Sequence, residues 1–164
     1  MRKKVLTICF SITVIVALTA VVITIFSKPS KEELSAAEEQ IETTFYSEIP
    51  EEDTELFSED MSEYQMQQII HAMSHQKVKA DQKWGKILIT QKSVSLLLSA
   101  LKKNEGSWKH SATYADILNR WYEEDFSKAD KDHNAVWVML DGNIGKAKGV
   151  LNAVEEQKYL DEGK

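Results

Sequence analysis

The sequence predicts an all-α protein in three parts: an N-terminal transmembrane helix at residues 1–27, an acidic and partly helical tether at 28–60, and a compact domain of four to five short helices at 61–164. Three observations predict this organisation. A long apolar run lies near the N-terminus, the charge changes sharply near residue 60, and apolar residues recur at helical spacing between capping residues in the remainder.

The apolar run extends over 22 residues from Val5 to Phe26. As a helix it spans roughly 33 Å, enough to cross a hydrocarbon core about 30 Å thick. The apolar core of a secretory signal peptide has only about 7–15 residues, so an uncleaved anchor is the favoured interpretation and cleavage is the alternative. The basic residues Arg2, Lys3 and Lys4 favour a cytoplasmic N-terminus. The sequence therefore predicts a single-pass protein of the cell membrane with an extracytoplasmic C-terminal domain.

Charge divides the rest of the chain into two regions. Residues 28–60 carry twelve acidic side chains against two lysines, whereas residues 61–164 carry fifteen basic and fourteen acidic side chains. The acidity belongs to the tether, and the C-terminal domain is close to neutral. A domain without a basic patch has no electrostatic footprint for nucleic acid, so no nucleic-acid partner is expected. The one cysteine, Cys9, lies inside the apolar run, which leaves the remainder without a disulfide.

Local signals place the individual helices. Ser30 and Glu33 match a capping box, so a helix is expected from there to about Tyr46, followed by a flexible segment at 51–60. The predicted helices of the C-terminal domain run from about Ser62 to Gln76, from Thr90 to Asn104, from Ser111 to Trp121, from Ser127 to Leu140, and from Asn152 to Leu160. Residues 87–89 have strand-like composition, but a lone strand has no partner in the sequence, and this favours the all-α class.

Two histidines form the sharpest candidate site. His71 and His75 are four residues apart, so both imidazoles lie on one face of a helix and are spaced to reach one zinc ion. Ala72 stands where zinc peptidases of the His-Glu-x-x-His type have glutamate, which excludes that class. A polar helix face or hydrogen bonding between helices is the alternative interpretation. Candidates for a third ligand are His133, Asp132, Asp130 and His110.

Two other patterns resemble ligand-binding motifs but lack a residue that the motif requires. The acidic residues from Asp130 to Asp141 imitate a calcium-binding EF-hand loop, but Ala135 occupies the position that requires glycine. The glycine-rich segment 142–149 lacks the Gly-Lys-Ser/Thr ending of a phosphate-binding loop. A capped helix start explains the first pattern, and turn glycines with positive φ explain the second.

The four tryptophans all lie in the C-terminal domain. Trp121 and Trp137 follow the apolar faces of predicted helices and are expected in the core. Trp84 and Trp108 lie at loop or turn positions, so they are the candidates for a partner-binding surface, since exposed aromatic residues often anchor interfaces. Packing over helix ends is the alternative role for both.

Three segments of the C-terminal domain resemble a known family. They are residues 75–81 leading into 83–85, residues 126–130 with 132–134 and Trp137, and residues 144–147 with Gly149 and Leu151. In this combination the chain is similar to the small proteins of Bacillus-type bacteria grouped as domain of unknown function 6241. The resemblance implies a Gram-positive source and a coherent domain over about 61–160, and it implies no activity.

No nucleophile with an adjacent base can be assembled from these residues, so the sequence predicts a protein that is not an enzyme and has no cofactor other than a possible zinc ion. The favoured hypothesis is a membrane-tethered helical domain that binds an unidentified protein partner outside the cell membrane. The first alternative is a metal-binding module or metal-dependent enzyme that uses His71 and His75. The second is an immunity-type or structural envelope protein.

Overall fold

A computed structural model describes residues 28–162 of the chain. Six α-helices, one 3₁₀ helix and two β-strands are formed within these residues. The α-helices are α1 (Lys31–Phe45), α2 (Glu63–Ser74), α3 (Gln91–Asn104), α4 (Ser111–Tyr122), α5 (Ala129–Met139) and α6 (Ala153–Asp161). The 3₁₀ helix is Glu51–Leu56, and the strands are β1 (Val78–Lys79) and β2 (Gly149–Val150). From Leu34 onward the chain belongs to one compact unit.

Capping residues set the starts of three helices where the sequence predicts them. Ser62, Thr90 and Asn152 each accept a hydrogen bond from the backbone N–H three residues later, and each forms a reciprocal capping box. A cap satisfies N–H groups that have no partner inside the helix, which is why this short pattern determines a helix start. The same reciprocal pair forms between Ser30 and Glu33 at the start of α1.

The N-cap of helix α5 is Lys128, one residue later than the predicted cap Ser127. The backbone N–H and the hydroxyl of Ser127 both donate to the Asp125 carboxylate, so Ser127 closes a turn and does not cap a helix. Asp132 is buried and forms an ion pair of 2.6 Å with Arg120. Within the EF-hand-like pattern, residues 130–139 lie in α5 itself and Asp141 follows the helix. Asp132 already has a cationic partner.

The described residues are mostly helical, as predicted, but they also contain a small antiparallel sheet that the predicted all-α class does not include. Val78 pairs with Val150, and Lys79 pairs with Gly149. Two further backbone bonds of 2.8 Å extend the pairing, from Lys148 N–H to the Lys79 carbonyl and from Leu151 N–H to the Lys77 carbonyl. The strand-like residues 87–89 stay outside this sheet. The pairing brings the loop after α5 next to the loop after α2.

The transmembrane part of the predicted fold class is also corrected. Across residues 28–162, no helix has both the length and the apolar composition needed to cross a membrane. The predicted anchor, Val5 to Phe26, lies outside the residues that the structure describes. The location at the cell membrane stays a prediction.

The core is built where α2 packs against α5 and α3 packs against α4. Its largest fully buried side chains include Trp121, Tyr114 and Met66. Phe45 at the end of α1 and Phe57 after the 3₁₀ helix belong to the same apolar cluster. The segment predicted as a tether is therefore packed onto the C-terminal domain at these two positions.

Candidate metal centre

Three of the four histidines of the chain meet where α2 packs against α5. His71 lies in the last turn of α2 and His75 is the C-cap of the same helix, and their ring centroids are 4.6 Å apart. His133 on α5 faces both of them, with centroids at 4.6 Å from His71 and 5.4 Å from His75. His75 and His133 are almost fully buried, whereas His71 is partly exposed.

The ligand nitrogens of these three rings lie within 4.8 Å of one another. Nitrogens bound to one tetrahedral zinc ion at 2.0–2.1 Å are roughly 3.4 Å apart, so small side-chain rotations would bring the three rings to ligand distance. The other candidates for a third ligand lie elsewhere. Asp132 pairs with Arg120, and Asp130 is not part of the cluster. His110 lies at the start of α4, where its backbone N–H donates to the Glu63 carboxylate.

A backbone carbonyl holds His75 in one tautomer. The Nδ1 of His75 lies 2.9 Å from the Gly85 carbonyl oxygen, which only accepts hydrogen bonds, so the ring proton is on Nδ1. The Nε2 atom then carries a lone pair. Histidines that bind metals are oriented in this way, with the second nitrogen donating to a carbonyl or carboxylate.

Both ring nitrogens of His133 have protein partners. Its Nδ1 is 2.9 Å from the Ser74 hydroxyl oxygen, and its Nε2 is 3.1 Å from the Gly145 carbonyl oxygen. The hydroxyl of Ser74 also lies 2.6 Å from the His71 carbonyl oxygen, to which it can donate. When Ser74 donates to Nδ1 of His133, the ring proton is on Nε2 and is donated to the Gly145 carbonyl. When Ser74 donates to the His71 carbonyl, the ring proton is on Nδ1, and a cation bound at Nε2 would compensate the lone pair that then faces the Gly145 oxygen.

Burial keeps the three imidazoles neutral. Desolvation, followed by the neighbouring histidines, lowers the pKa of His71 to about 4. Desolvation and then His75 lower the pKa of His133 to about 4, against a smaller opposing effect of its contact with Gly145. Desolvation also lowers the pKa of His75. At neutral pH all three rings are in the unprotonated state that binds metals.

A cleft of about 580 Å³ lies beside the histidines. His71 forms part of its wall, together with Trp84, Trp137, Tyr64 and Ile144. The cleft is thus largely aromatic and apolar, and its wall includes one of the three clustered imidazoles. Such a cleft with a few polar groups is the usual form of a ligand site.

The two tryptophans predicted to bind a partner differ in their surroundings. Trp84 is 67% exposed at the cleft. Trp108 is partly buried, packs against the core, and meets the Tyr114 ring edge-on at 6.3 Å. The hypothesis that these tryptophans bind a partner stays a prediction. Of the two, Trp84 is the one whose side chain is exposed enough to contact a partner.

Three residues around the histidines were not found from the sequence: Ser74, Gly85 and Gly145. Ser74 lies between the two histidines of α2, where a serine gives no distinctive signal. Gly85 and Gly145 both have positive φ, +85° and +84°, which only glycine adopts readily. The glycine-rich segment predicts a positive φ, but a backbone carbonyl directed at a histidine has no signature in a sequence.

Fold and site together define a small, mostly helical protein with a two-stranded sheet and a buried histidine triad. A family model described as a family of unknown function, DUF6241, matches residues 70–161. The match covers more than half of the chain and all three histidines of the cluster. The chain therefore belongs to the family DUF6241. No curated protein and no solved structure shows significant similarity to it.

Proposed function

We propose that this protein binds a transition-metal ion through His71, His75 and His133. The observation that carries the proposal is the convergence of three neutral imidazoles, from two packed helices, with ligand nitrogens within 4.8 Å of one another. Imidazole nitrogen suits zinc, copper, nickel and iron, and zinc is the simplest of these because it has no redox chemistry.

The surroundings of the triad favour a metal over a hydrogen-bond network. Three imidazoles in ring contact have few acceptors to share among themselves, and no carboxylate belongs to the cluster to stabilise a protonated ring. Nδ1 of His75 contacts Gly85 and Nδ1 of His133 contacts Ser74, so a common ion would be bound by the two Nε2 atoms. At His133 the ion would take the place of a proton in the present contact of Nε2 with the Gly145 carbonyl. This division of roles between the two ring nitrogens is typical of histidine ligands.

Calorimetric titration of the purified, metal-stripped full chain with zinc tests the proposal. We expect one ion per chain and a dissociation constant in the micromolar range or below. We expect binding to weaken at least 100-fold in each of three variants, because each loses one of the three imidazole ligands. The variants are His71→Ala, His75→Ala and His133→Ala. His110→Ala is the matched control and should bind as the wild type does, because His110 lies at the start of α4.

Thermal unfolding gives a second readout of the same binding. A ligand at 100 times its dissociation constant stabilises the folded state by about 2.7 kcal/mol. For a chain of this length that corresponds to a rise in Tm of roughly 5–10 °C. The absence of heat and of any Tm shift with zinc, copper, nickel and cobalt would remove the proposal.

The binding of a metal does not by itself assign a reaction. A three-histidine set leaves a fourth coordination position, which catalytic zinc sites use for water and structural sites fill with a protein ligand. The prediction that the protein is not an enzyme, and the immunity-type or structural alternative, stay predictions. Their outcome depends on what occupies that fourth position.

A further inference from the structure

We propose that the main-chain carbonyl oxygen of Gly145 is the fourth ligand of the metal, so that metal loading fixes the loop that forms one wall of the aromatic cleft. This inference rests on the proposed function, because it concerns the coordination of the same ion. It makes the centre a closed, structural or regulatory site and not an open catalytic one.

The first argument is distance. The Gly145 oxygen lies 3.1 Å from Nε2 of His133. Two ligands of one tetrahedral zinc ion are roughly 3.4 Å apart when each bond is 2.0–2.1 Å long. The present contact has the length of a hydrogen bond, and a separation larger by about 0.3 Å would let both atoms share an ion.

The second argument is the chemistry of the contact. A metal takes the lone pair of Nε2, so that nitrogen has no proton to donate to the Gly145 carbonyl. The oxygen then has to coordinate the ion, move to another donor, or stay without a partner near a buried ring. Coordination leaves neither lone pair uncompensated and needs only a small widening of the present contact.

The third argument is that the loop after α5 is held on both sides of Gly145. The indole N–H of Trp137 donates to the Ile144 carbonyl at 2.8 Å. On the other side, the Asn134 side chain forms two hydrogen bonds with the Ala147 backbone, at 2.8 and 3.0 Å. Both anchors come from α5, the helix that carries His133, so the carbonyl and the imidazole are positioned by one element.

Glycine is required at position 145 for two reasons. Its φ is +84°, and a Cβ atom added there would lie 2.5 Å from the backbone oxygen of Gln82. The loop can therefore approach the Gln82 backbone this closely only without a side chain. Gly106 offers a contrast, since a Cβ atom added there meets nothing within 4 Å.

Fixing this loop would fix part of the cleft. Four consecutive loop residues, 141–144, line the cleft, and Trp137, which donates to the loop, lines it as well. A metal that joins α2, α5 and Gly145 would thus hold the cleft in one shape. Any ligand of the cleft would then bind the metal-loaded and metal-free protein with different affinities. By linkage, that ligand would change the affinity for the metal by the same factor.

The test uses the full chain loaded with cobalt, whose visible absorption reports coordination number. We expect the intense spectrum of a four-coordinate ion that is unchanged by added azide, since a closed site has no exchangeable position. Gly145→Ala should weaken cobalt and zinc binding at least tenfold, with Gly106→Ala as the matched control at wild-type affinity. Hydrogen exchange of residues 141–148 should slow when zinc is added.

The outcomes separate the two proposals. If wild-type protein binds no cobalt or zinc, the proposed function fails and this inference fails with it. If the wild type binds the metal but azide shifts its spectrum, the proposed function holds and the inference is overturned, because water occupies the fourth position. The azide result comes from wild-type protein, so it decides the matter even if Gly145→Ala does not fold.

Discussion

The clustered histidines make the stability of the metal-free protein depend on pH. The pKa values of His71 and His133 are about 4 in the folded protein because both rings are desolvated, compared with an ordinary value of 6.5. In the unfolded chain these rings take up protons near pH 6.5, whereas the folded protein does not. The unfolded state therefore binds more protons as the pH falls, and acid destabilises the fold.

We expect the free energy of unfolding to fall by about 1 kcal/mol for each of these two histidines between pH 7.5 and 5.5, allowing for the partial exposure of His71. Urea unfolding in the presence of a chelator at several pH values measures the change. This interval lies above the usual range of carboxylates, so histidine dominates it. His110→Ala should keep the dependence, and His133→Gln should reduce it. A stability that stays constant over the interval would contradict the neutral triad.

Ser74 is the residue that orients His133. Its hydroxyl lies 2.9 Å from Nδ1 of His133 and 2.6 Å from the His71 carbonyl oxygen, so it links two of the three proposed ligand residues. We expect Ser74→Ala to weaken zinc binding by about 10–100-fold, the usual effect of removing a hydrogen-bond partner of a metal ligand.

Ser99→Ala is the control for this substitution, because Ser99 makes a comparable bond to a carbonyl on the exposed face of α3. Calorimetric titration with zinc compares the two variants, and circular dichroism checks that each is folded. Equal affinities for Ser74→Ala and wild type would show that the hydroxyl does not position the ring.

At the scale of elements, helix α6 is attached through a buried carboxylate. Glu156 accepts a hydrogen bond of 2.8 Å from Gln76 and forms an ion pair of 2.6 Å with Lys77, and both partners are almost fully buried. Burial lowers the pKa of Lys77, and Glu156 opposes this shift. The pair joins α6 to the segment between α2 and β1, next to His75.

We expect Glu156→Gln to lower the free energy of unfolding by about 3 kcal/mol, because it leaves the Lys77 ammonium buried without a counter-charge. Glu155→Gln is the matched control. Glu155 pairs with Lys79 at 2.8 Å, but the Lys79 and Glu155 side chains remain 47% and 40% exposed, so the loss of this pair should cost less than about 1 kcal/mol. Urea unfolding at neutral pH with a chelator compares the two, and equal losses would rule out a special role for the buried pair.

The same scale explains which elements could be predicted. The starts of α2, α3 and α6 depend on caps that span four residues, so the local sequence contains the whole signal. The pairing of Val78 with Val150 joins positions far apart in the sequence through strands of two residues each. Such short strands have no alternation of their own, and only the packing of α5 against α2 brings them together.

In the candidate site too, the features set by local sequence could be predicted and those set by contacts between distant residues could not. The spacing of His71 and His75 is local and identifies the pair directly. His133 was one of four possible third ligands, since sequence alone does not say which side chain on another helix lies opposite. The Gly85 and Gly145 carbonyls were not predicted at all, because a backbone atom gives a sequence no residue type to recognise.

At the scale of the whole molecule, the acidic N-terminal segment has two different roles along its length. Its charges are mostly exposed on α1 and the 3₁₀ helix, as expected of a solvated segment. Its two phenylalanines are buried, with Phe45 only 4% exposed and its ring 6.1 Å from that of Phe126. A spacer that merely separated the domain from another structure would have no need for these contacts.

We therefore expect Phe45→Ala to lower the free energy of unfolding of the full chain by about 3 kcal/mol, the usual cost of removing a buried aromatic ring. Leu56→Ala in the same acidic segment is the control, and it should change stability by less than about 0.5 kcal/mol because Leu56 is exposed. Urea unfolding followed by tryptophan fluorescence reports on the C-terminal domain, where all four tryptophans lie. If Phe45→Ala had no more effect than Leu56→Ala, the segment would be an independent tether, and the folded domain would begin near residue 61.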